Sequence, residues 1–574
     1  MSRRSTSTIT DLVLLLVLTL VVLATWLPRL AGPLDLRWDG GVYYVLGTAL
    51  AEGRGYRLLN EPGEIEATQY PPLFPAFIAA HQLIAGTGDP TLIGRRLRVS
   101  FLALSLAFAW AGYALLRRHL PPAWAFLGMV MCAVHTSTVF LSDIAFADFP
   151  FALVTCLFFV SSKRDPERWE GATMGLLAMA AYLLRTIGIT LLVGWIAEAA
   201  LRGDIRRAAA RLAVAAVPVL GWHAYVASIE RAPSYAHPAY PYQRADYLFY
   251  NVSYAQNVGL RDPNQPDLGR VSPGGAALRV VGYLPTVPIK LGETISASRQ
   301  SWRRQIARLK SLPMVGRWLP LRLADAGLLL LGAMILTGLA LEVVRGERLV
   351  PLYVAMYVLV LCFIPWREEP RYWFPLAPLL LRAMWRCAVA ITGKLEPRAR
   401  FSPPWTRAAL FAAAGVILLV QVMSLVDFYR DKHESVTYQD RNGQRVDYRL
   451  LYYREVYRAQ DAGLDWLRQR ASPTDIVATS MPHWVYLRTG LKTVMPPFER
   501  DPRHAEQLLE SVPVSYMIVD GRTQSFTREY GLPVVQQAPE RWPLVYSLPE
   551  GGLHIFQRAH PGSAAASVPR RDEE

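Results

Sequence analysis

Apolar segments long enough to cross a lipid bilayer recur along most of this 574-residue chain. Hydrophobic residues make up 52% of the chain and charged residues 19%, whereas an ordinary soluble domain carries about 25% charged residues. This composition excludes intrinsic disorder, and a count of only four cysteines excludes a disulfide scaffold. The cysteines all lie in apolar stretches and are expected to be small buried hydrophobes. The sequence therefore predicts a polytopic α-helical membrane protein.

A hydrocarbon core about 30 Å thick needs about 20 apolar residues in a helix. This length predicts eleven transmembrane helices, near residues 10–28, 97–116, 122–141, 149–161, 171–184, 187–201, 209–228, 323–344, 350–365, 372–390 and 408–427. The first is interpreted as a retained span, because no small-residue cleavage site follows it. The stretch 71–86 is also apolar, but it is short and proline-rich at its start, so we interpret it as an interfacial or re-entrant helix.

The distribution of Lys and Arg predicts the orientation of these spans. The short loops on one side hold roughly 19 such residues, whereas those on the other side hold only Arg185, Arg367 and Arg371. The N-terminus is therefore predicted to be cytoplasmic and the C-terminus extracytoplasmic, in a multi-pass protein of the cell inner or plasma membrane. Because most of the net charge of +15 lies in these loops, it does not indicate nucleic acid as a partner; membrane lipid is the partner expected.

The predicted domain organisation has three parts. A transmembrane domain covers 1–428 and carries extracytoplasmic loops 29–96 and 229–322, an extracytoplasmic α/β domain covers 429–561, and a disordered tail covers 562–574. Within the α/β domain, the residue pattern predicts helices at 455–470, 483–489 and 503–511 and strands at 476–479, 515–520, 544–548 and 553–557.

Asp39 lies shortly after the first predicted span and is followed by Gly40 and Gly41. If the next segment is helical, Asp39 shares a face with Tyr43. A carboxylate beside aromatic rings at a membrane surface can have a raised pKa and accept a proton from a hydroxyl nucleophile. The alternative is that Asp39 is only the N-cap of a helix that runs to about Ala51.

Asp143 and Asp148 lie together in one short loop that is predicted to face outward. Asp148 stands directly before Phe149 and Pro150, at the mouth of the fourth predicted span. Two carboxylates so close in sequence can bind a cation, a sugar or a cationic acceptor. The alternative is helix capping, because an acidic residue favours the N-terminus of a helix that begins near a proline.

The predicted outer side also carries arginines that run against the charge bias of the loops. Arg367 and Arg371 precede Tyr372, and Arg185 lies in the turn between the fifth and sixth spans. Outward guanidinium groups suggest a bound anion such as a phosphate. The alternatives are pairing with neighbouring glutamates or snorkelling at the interface.

Tyr70 begins the run Tyr70-Pro71-Pro72-Leu73, in which two prolines fix a stiff start to the interfacial helix. A helix start without further function is the alternative to a role in binding. Elsewhere the sequence has no Walker loop, dinucleotide fingerprint or His-Glu-x-x-His motif. The ten histidines lack metal-ligand spacing, which disfavours zinc but leaves open a divalent cation bound by carboxylates; no other cofactor is expected.

Taken in order, these segments resemble the GT-C superfamily of polytopic membrane glycosyltransferases, in particular the branch of protein O-mannosyltransferases and the aminoarabinose transferase of lipid A. The resemblance covers nearly the whole chain and depends on the order and spacing of the motifs. These are Asp39 with Tyr43, Gly53-Arg54-Gly55-Tyr56, Tyr70-Pro71-Pro72-Leu73 with Pro75, Asp148-x-Pro150-Phe151, Arg371-Tyr372-x-x-Pro375 and the C-terminal α/β domain. Many members carry an acidic pair or a glutamate at the first motif, whereas Gly40 follows Asp39 here.

The resemblance implies an enzyme that transfers a monosaccharide, with inversion, from a polyprenyl-phosphate-linked sugar to a glycan, lipid or protein acceptor on the extracytoplasmic face. It makes Asp39 the base or acceptor-orienting carboxylate and Asp148 the second acidic group of the site. Arg371, with Arg185 or Arg367, would hold the lipid phosphate as it leaves. The substrate-binding residues predicted on this basis are Tyr43, Tyr70, Asp143, Arg185, Arg367, Arg371 and Tyr372.

Two other classes of function compete with this interpretation. A transporter or flippase of lipid-linked sugars would require broken helices or charged residues deep within the spans, and the predicted spans are nearly free of charge. A non-catalytic membrane scaffold that binds partners through 428–574 predicts that Asp39→Asn leaves every activity unchanged.

Overall fold

The structure is a computed structural model that describes residues 2–162, 168–311, 320–365, 370–395, 404–440 and 442–559. In chain order the helices are α1 (Ser2–Trp26), α2 (Asp39–Ala51), α3 (Leu73–Ala85), α4 (Pro90–Arg117), α5 (Pro122–Val134), α6 (Thr136–Leu141), α7 (Asp148–Ser161), α8 (Arg168–Leu184), α9 (Ile189–Leu201), α10 (Ile205–Glu230), α11 (Pro233–Ala236), α12 (Tyr254–Val258), α13 (Pro273–Tyr283), α14 (Val287–Ile295), α15 (Arg299–Lys310), α16 (Arg322–Val344), α17 (Leu349–Phe363), α18 (Ala377–Leu395), α19 (Pro404–Lys432), α20 (Glu455–Arg470), α21 (Pro482–Thr489), α22 (Pro502–Glu510) and α23 (Leu532–Gln537). The strands are β1 (His433–Gln439), β2 (Arg445–Leu451), β3 (Ile476–Ala478), β4 (Lys492–Val494), β5 (Val514–Val519), β6 (Leu544–Leu548) and β7 (Leu553–Gln557).

Every predicted span coincides with an apolar helix. Within the described residues, six helices are long and apolar enough to cross a membrane, namely Thr8–Arg29, Pro90–Arg117, Ile205–Glu230, Arg322–Val344, Pro370–Gly393 and Ala408–Lys432. The other predicted spans fall on the shorter apolar helices α5, α7, α8, α9 and α17. The polytopic α-helical fold class is thereby confirmed.

The chain forms two compact units, each built from three separate segments. The helical unit comprises Met1–Leu30, Arg98–His223 and Ser272–Asp431. The α/β unit comprises Ala31–Leu97, Ala224–Val271 and Lys432–Glu574. Parts of both long loops of the first 428 residues therefore pack with the C-terminal segment.

Close helix packing in the helical unit depends on glycine. A Cβ atom added at Gly332 of α16 would overlap the carbonyl oxygen of Pro288 in α14, and one at Gly338 would overlap that of Ala383 in α18. Small residues let helix backbones approach closely, which is how helices pack inside a membrane, where burial of apolar surface supplies little driving force between them.

The α/β unit contains a five-stranded sheet with the order β4-β3-β5-β7-β6. Strand β3 pairs in parallel with β4 and β5, whereas β7 pairs antiparallel with β5 and β6. Strands β3, β5, β6 and β7 and helices α20, α21 and α22 correspond to predicted elements, so the C-terminal α/β domain is confirmed. The antiparallel hairpin β1–β2 and the three-residue strand β4 were not predicted.

Two further predictions concern the segments 71–86 and 562–574. The predicted interfacial segment 71–86 forms α3, which ends where Gly86 adopts a φ of 65°. That left-handed conformation is favourable for glycine and typical of a helix C-terminus. The predicted tail 562–574 lies outside the described residues.

Candidate functional site

Asp39 is the first residue of α2, and Trp38 is the N-cap. Asp39 is therefore not the N-cap that the alternative interpretation supposed. Trp38 has a φ of 54°, a conformation that costs a bulky residue about 1–3 kcal/mol and persists only where the surroundings impose it. The Trp38 ring packs edge-on against that of Tyr457, with ring centroids 5.7 Å apart. The backbone just before Asp39 is thus held in an unfavourable conformation by packing.

A buried ion pair anchors the loop that leads to Asp39. Nη2 of Arg37 lies 2.7 Å from Oδ2 of Asp35, and both side chains are almost fully buried. The same Nη2 donates a hydrogen bond to the carbonyl oxygen of Leu451, at 3.0 Å, and the guanidinium stacks over the ring of Tyr457. The start of α2 is therefore fixed to the strand β2 and the helix α20 of the same unit.

Tyrosines surround the Asp39 carboxylate. Oδ1 of Asp39 accepts a hydrogen bond from the hydroxyl of Tyr250, at 3.2 Å. The ring of Tyr70 lies 4.7 Å from that of Tyr43 and 5.9 Å from that of Tyr254, centroid to centroid. Burial, reinforced by the Asp39 charge, raises the pKa of Tyr70 well above its usual value, so Tyr70 stays protonated. The structure thus brings together the predicted residues Asp39, Tyr43 and Tyr70.

Two members of this Asp39 cluster were missed by sequence analysis. Tyr250 belongs to a tyrosine-rich stretch of the second long loop, and that enrichment is the only signal the sequence offered. His483 lies in the first turn of α21, 3% exposed, with its ring edge-on to that of Tyr250 at a centroid distance of 4.9 Å. Burial lowers the pKa of His483 to about 3, although the Asp39 charge opposes the shift. The imidazole is therefore neutral at physiological pH.

A second cluster, the Asp148 cluster, lies in the helical unit. Asp148 is the first residue of α7 and its side chain is 3% exposed. Its carboxylate forms an ion pair with the guanidinium of Arg185. Arg185 in turn lies over the ring of Tyr372, with its guanidinium carbon 5.3 Å from the ring centroid. The N-cap of α7 is Ala147, so Asp148 pairs with a cation rather than acting as the N-cap.

Arg371 completes this second cluster. Its Nη2 donates a hydrogen bond to the hydroxyl of Tyr372, at 3.0 Å, and its guanidinium lies over the rings of Tyr372 and Phe146. The cluster thus holds the guanidinium groups of Arg185 and Arg371 beside Tyr372. Guanidinium groups are suited to binding an anion such as a phosphate. Arg367, predicted to assist Arg371, lies outside the described residues.

Asp143 belongs to a different network from Asp148. Its Oδ1 lies 2.6 Å from Nη1 of Arg98 and 3.6 Å from Nη1 of Arg29, and all three side chains are buried. Arg29 also donates hydrogen bonds to the carbonyl oxygen of Val139 and the hydroxyl of Ser142. The structure therefore brings together Asp148, Arg185, Arg371 and Tyr372 of the predicted residues, and pairs Asp143 with arginines that the sequence did not single out.

No group of three or more His, Cys, Asp or Glu within the described ranges is arranged to hold a metal ion. The hydroxyl of Tyr250 donates a hydrogen bond to Asp39, and the adjoining rings are further phenols and an imidazole. This donor set does not fit a carboxylate-rich cation site.

No protein-family model and no curated protein matches this sequence. Solved structures do resemble it. The oligosaccharyltransferase of Archaeoglobus fulgidus, in complex with zinc and sulfate, is 12% identical with a TM-score of 0.52, and the match covers 95% of this chain and 73% of that one. The same enzyme, called AglB and solved with an inhibitory peptide and a dolichol-phosphate, matches with 12% identity, a TM-score of 0.51 and coverage of 97% and 75%.

ArnT from Cupriavidus metallidurans in the apo state matches with 12% identity and a TM-score of 0.51. That match covers 94% of this chain and 97% of the chain of ArnT. Together these likenesses define the class of fold: a polytopic helical membrane protein with an α/β domain. The overall fold of this chain is similar to that of these two solved proteins.

Proposed function

We propose that this chain is a membrane glycosyltransferase that transfers a monosaccharide from a polyprenyl-phosphate donor to an acceptor on the extracytoplasmic face, with inversion. The observation that carries the proposal is Asp39 itself. Its carboxylate is fixed at the first turn of α2, accepts a hydrogen bond from the neutral Tyr250 and is bordered by the protonated Tyr70. The GT-C fold of the whole chain supports this assignment.

The proposed reaction uses Asp39 as the general base or acceptor-orienting carboxylate. The acceptor hydroxyl oxygen forms a bond to the anomeric carbon from the face opposite the phosphate. The bond between that carbon and the phosphate oxygen breaks, and its electron pair leaves with the polyprenyl phosphate. The proton of the hydroxyl goes to the Asp39 carboxylate. The hydroxyl of Tyr250 donates a hydrogen bond to the same carboxylate and helps to hold it in place for this role.

Binding of the lipid phosphate is assigned to the Asp148 cluster of the helical unit, the role that the sequence resemblance implies for its arginines. Negative charge builds up on the phosphate oxygen as the bond to the sugar breaks, and preorganised cations stabilise such charge. Arg371 and Arg185 supply two cations, and Asp148 holds Arg185 through their ion pair. The dolichol-phosphate solved with AglB supports a lipid phosphate as the donor class.

We also propose the membrane orientation that the loop charges predict. The N-terminus is cytoplasmic, the C-terminal α/β domain is extracytoplasmic, and the chain resides in the cell inner or plasma membrane. A sugar linked to a lipid phosphate is already activated for transfer at that face, where nucleotide sugars are absent.

The proposal is tested with the purified chain in nanodiscs. Radiolabelled undecaprenyl-phosphate mannose, glucose, galactose and arabinose serve as donor probes, and an envelope extract from cells that lack the chain serves as the acceptor source. The wild type should move label from the lipid into the acceptor fraction with at least one donor. Asp39→Asn should reduce this transfer at least about 100-fold, the effect expected of a lost general base.

The matched control is Glu52→Gln, which changes a half-exposed carboxylate at the end of the same helix. It should retain wild-type transfer. Transfer by Asp39→Asn at the rate of Glu52→Gln would exclude Asp39 as the essential carboxylate, and a wild type that moves no label from any donor would contradict the proposed function.

A further inference from the structure

His483 belongs to the C-terminal segment but lies against the start of α2. A Cβ atom added at Gly41 would stand 3.0 Å from the Cβ of His483, so the two helices touch at backbone level two residues after Asp39. A side chain at position 41 would crowd this contact, and glycine leaves room for it. The position of the imidazole relative to the first turn of α2 is therefore set by backbone packing rather than by a flexible side chain.

The position in the sheet also suits a site. His483 follows the parallel strand β3 by five residues, on the helix that leaves the carboxyl end of that strand. Ligand-binding groups in α/β sheets collect at the carboxyl ends of parallel strands. The same ring packs edge-on against Tyr250, whose hydroxyl holds Oδ1 of Asp39.

One atom of this histidine has no structural use. Nε2 of His483 is buried and has no hydrogen-bond partner among the described residues. Leaving a buried polar atom unsatisfied costs about 1–3 kcal/mol, and native proteins rarely tolerate it without a ligand or a functional reason. A leucine or phenylalanine would fill the space without that cost.

We propose that Nε2 of His483 binds the acceptor hydroxyl and presents it to Asp39. This inference rests on the proposed function. A hydroxyl oxygen has two lone pairs and one proton. It can accept a hydrogen bond from the imidazole N–H, donate its proton to Asp39, and still attack the anomeric carbon with the remaining lone pair.

The proposal specifies the class of acceptor. A neutral amine has a single lone pair, so it cannot accept the imidazole hydrogen bond and attack at the same time. The acceptor is therefore an uncharged hydroxyl of a glycan, lipid or protein rather than an amine. Phenols and a neutral imidazole lie around Asp39, and these groups can form hydrogen bonds with an uncharged hydroxyl.

The test compares three variants in the nanodisc assay. His483→Phe keeps the ring contact with Tyr250 and removes both nitrogens. His483→Gln places an amide near the position of Nε2, and His483→Asn places one near Nδ1. His483→Phe and His483→Asn should each raise the half-saturating amount of envelope extract about tenfold, whereas His483→Gln should stay within about threefold of the wild type.

A readout that a merely structural role would not separate is saturation by the lipid donor. The half-saturating concentration of the donor should stay within about twofold of the wild type in all three variants, because His483 is assigned to the acceptor alone. An unchanged half-saturating amount in His483→Phe overturns the proposal, as does equal behaviour of the Gln and Asn variants. If His483→Phe fails to fold, the comparison of Gln with Asn still decides.

Chemical blocking of the extract tests the acceptor class. Extract treated to acetylate its amines should remain an acceptor, and extract treated to acetylate its hydroxyls should not. The reverse result overturns the inference about hydroxyl binding while sugar transfer by the wild type still supports the proposed function. A wild type that transfers nothing contradicts the proposed function itself.

Discussion

Asp39 and Asp148 occupy equivalent positions in different surroundings. Each is the first residue of a helix that follows a short loop, and neither is the N-cap. The Asp39 carboxylate in the α/β unit accepts a hydrogen bond from a neutral phenol. The Asp148 carboxylate in the helical unit is buried in an ion pair with Arg185.

This difference separates two kinds of chemistry. A carboxylate that is paired with a guanidinium is a weaker proton acceptor, because the cation stabilises its charged form. It serves better to orient the cation and to tune the charge of an anion site. The Asp39 carboxylate receives a hydrogen bond from a phenol, and the proposed function gives it the proton-accepting role. We therefore assign base catalysis to Asp39 and arginine positioning to Asp148.

The largest expected effect that separates the clusters is on stability. Asp148→Asn leaves the Arg185 charge without its counter-ion in a buried place, and breaking a buried pair on one side is strongly destabilising. We expect a loss of about 3 kcal/mol in the free energy of unfolding, whereas Asp39→Asn should change it by less than about 1 kcal/mol. Denaturant unfolding of the detergent-solubilised chain measures both.

A double variant distinguishes the ion pair from simple packing. Asp148→Asn combined with Arg185→Gln removes both charges, and it should recover most of the stability lost in Asp148→Asn. Equal losses in the single and double variants would show that the pair contributes through shape rather than charge. An equal loss in Asp39→Asn would remove the contrast between the two clusters.

The next effect is the pH dependence of stability that His483 contributes in the Asp39 cluster. The folded pKa of His483 is about 3, and an unfolded histidine has a pKa of about 6.5. As the pH falls through 6.5, the unfolded state takes up the proton first, so stability present above that pH is lost. From pH 7.5 to 5.0 the loss attributable to this group is about 2 kcal/mol.

His483→Gln has no titrating group at this position and should lack that part of the pH dependence. The measurement is the free energy of unfolding of both proteins at the two pH values, and the relevant quantity is their difference. Identical pH dependence would mean that His483 takes up its proton at the same pH in the folded and unfolded protein, which would contradict the lowered pKa of the buried imidazole.

The sequence predicted those features whose determinants are local. A span is recognised from its own run of apolar residues, and the presence of Asp39 and Tyr43 on one helix follows from their spacing of four residues. Tyr70 was singled out as a separate motif, and its proximity to Tyr43 was not predicted. Strand β4 was missed because three residues carry too little pattern. The hairpin β1–β2 was missed although buried Val446, Tyr448 and Leu450 alternate with charged residues.

The partners of the candidate residues could not be predicted, because they come from distant segments. Tyr250 lies 211 residues from Asp39 along the chain, and His483 lies further still. No local pattern around either residue records the contact. In the same way, nothing in the sequence near Asp143 indicated that Arg98 and Arg29 would neutralise it. Proximity of this kind is decided by tertiary packing.

The smallest of the expected effects concerns donor binding at the Asp148 cluster. Arg371→Gln removes one of the two guanidinium groups of the Asp148 cluster. The half-saturating concentration of the lipid donor should rise about tenfold, which corresponds to about 1.4 kcal/mol, the size of one charge-assisted hydrogen bond. Stabilisation of the chain by added undecaprenyl phosphate, measured as the shift in Tm, should weaken in parallel.

The control for this loss of charge is Arg207→Gln, an arginine of the same unit that is 40% exposed and pairs with Asp204. It should leave both the half-saturating concentration and the Tm shift unchanged. A lower rate in Arg371→Gln with unchanged donor saturation and unchanged binding of undecaprenyl phosphate would place Arg371 outside the phosphate site.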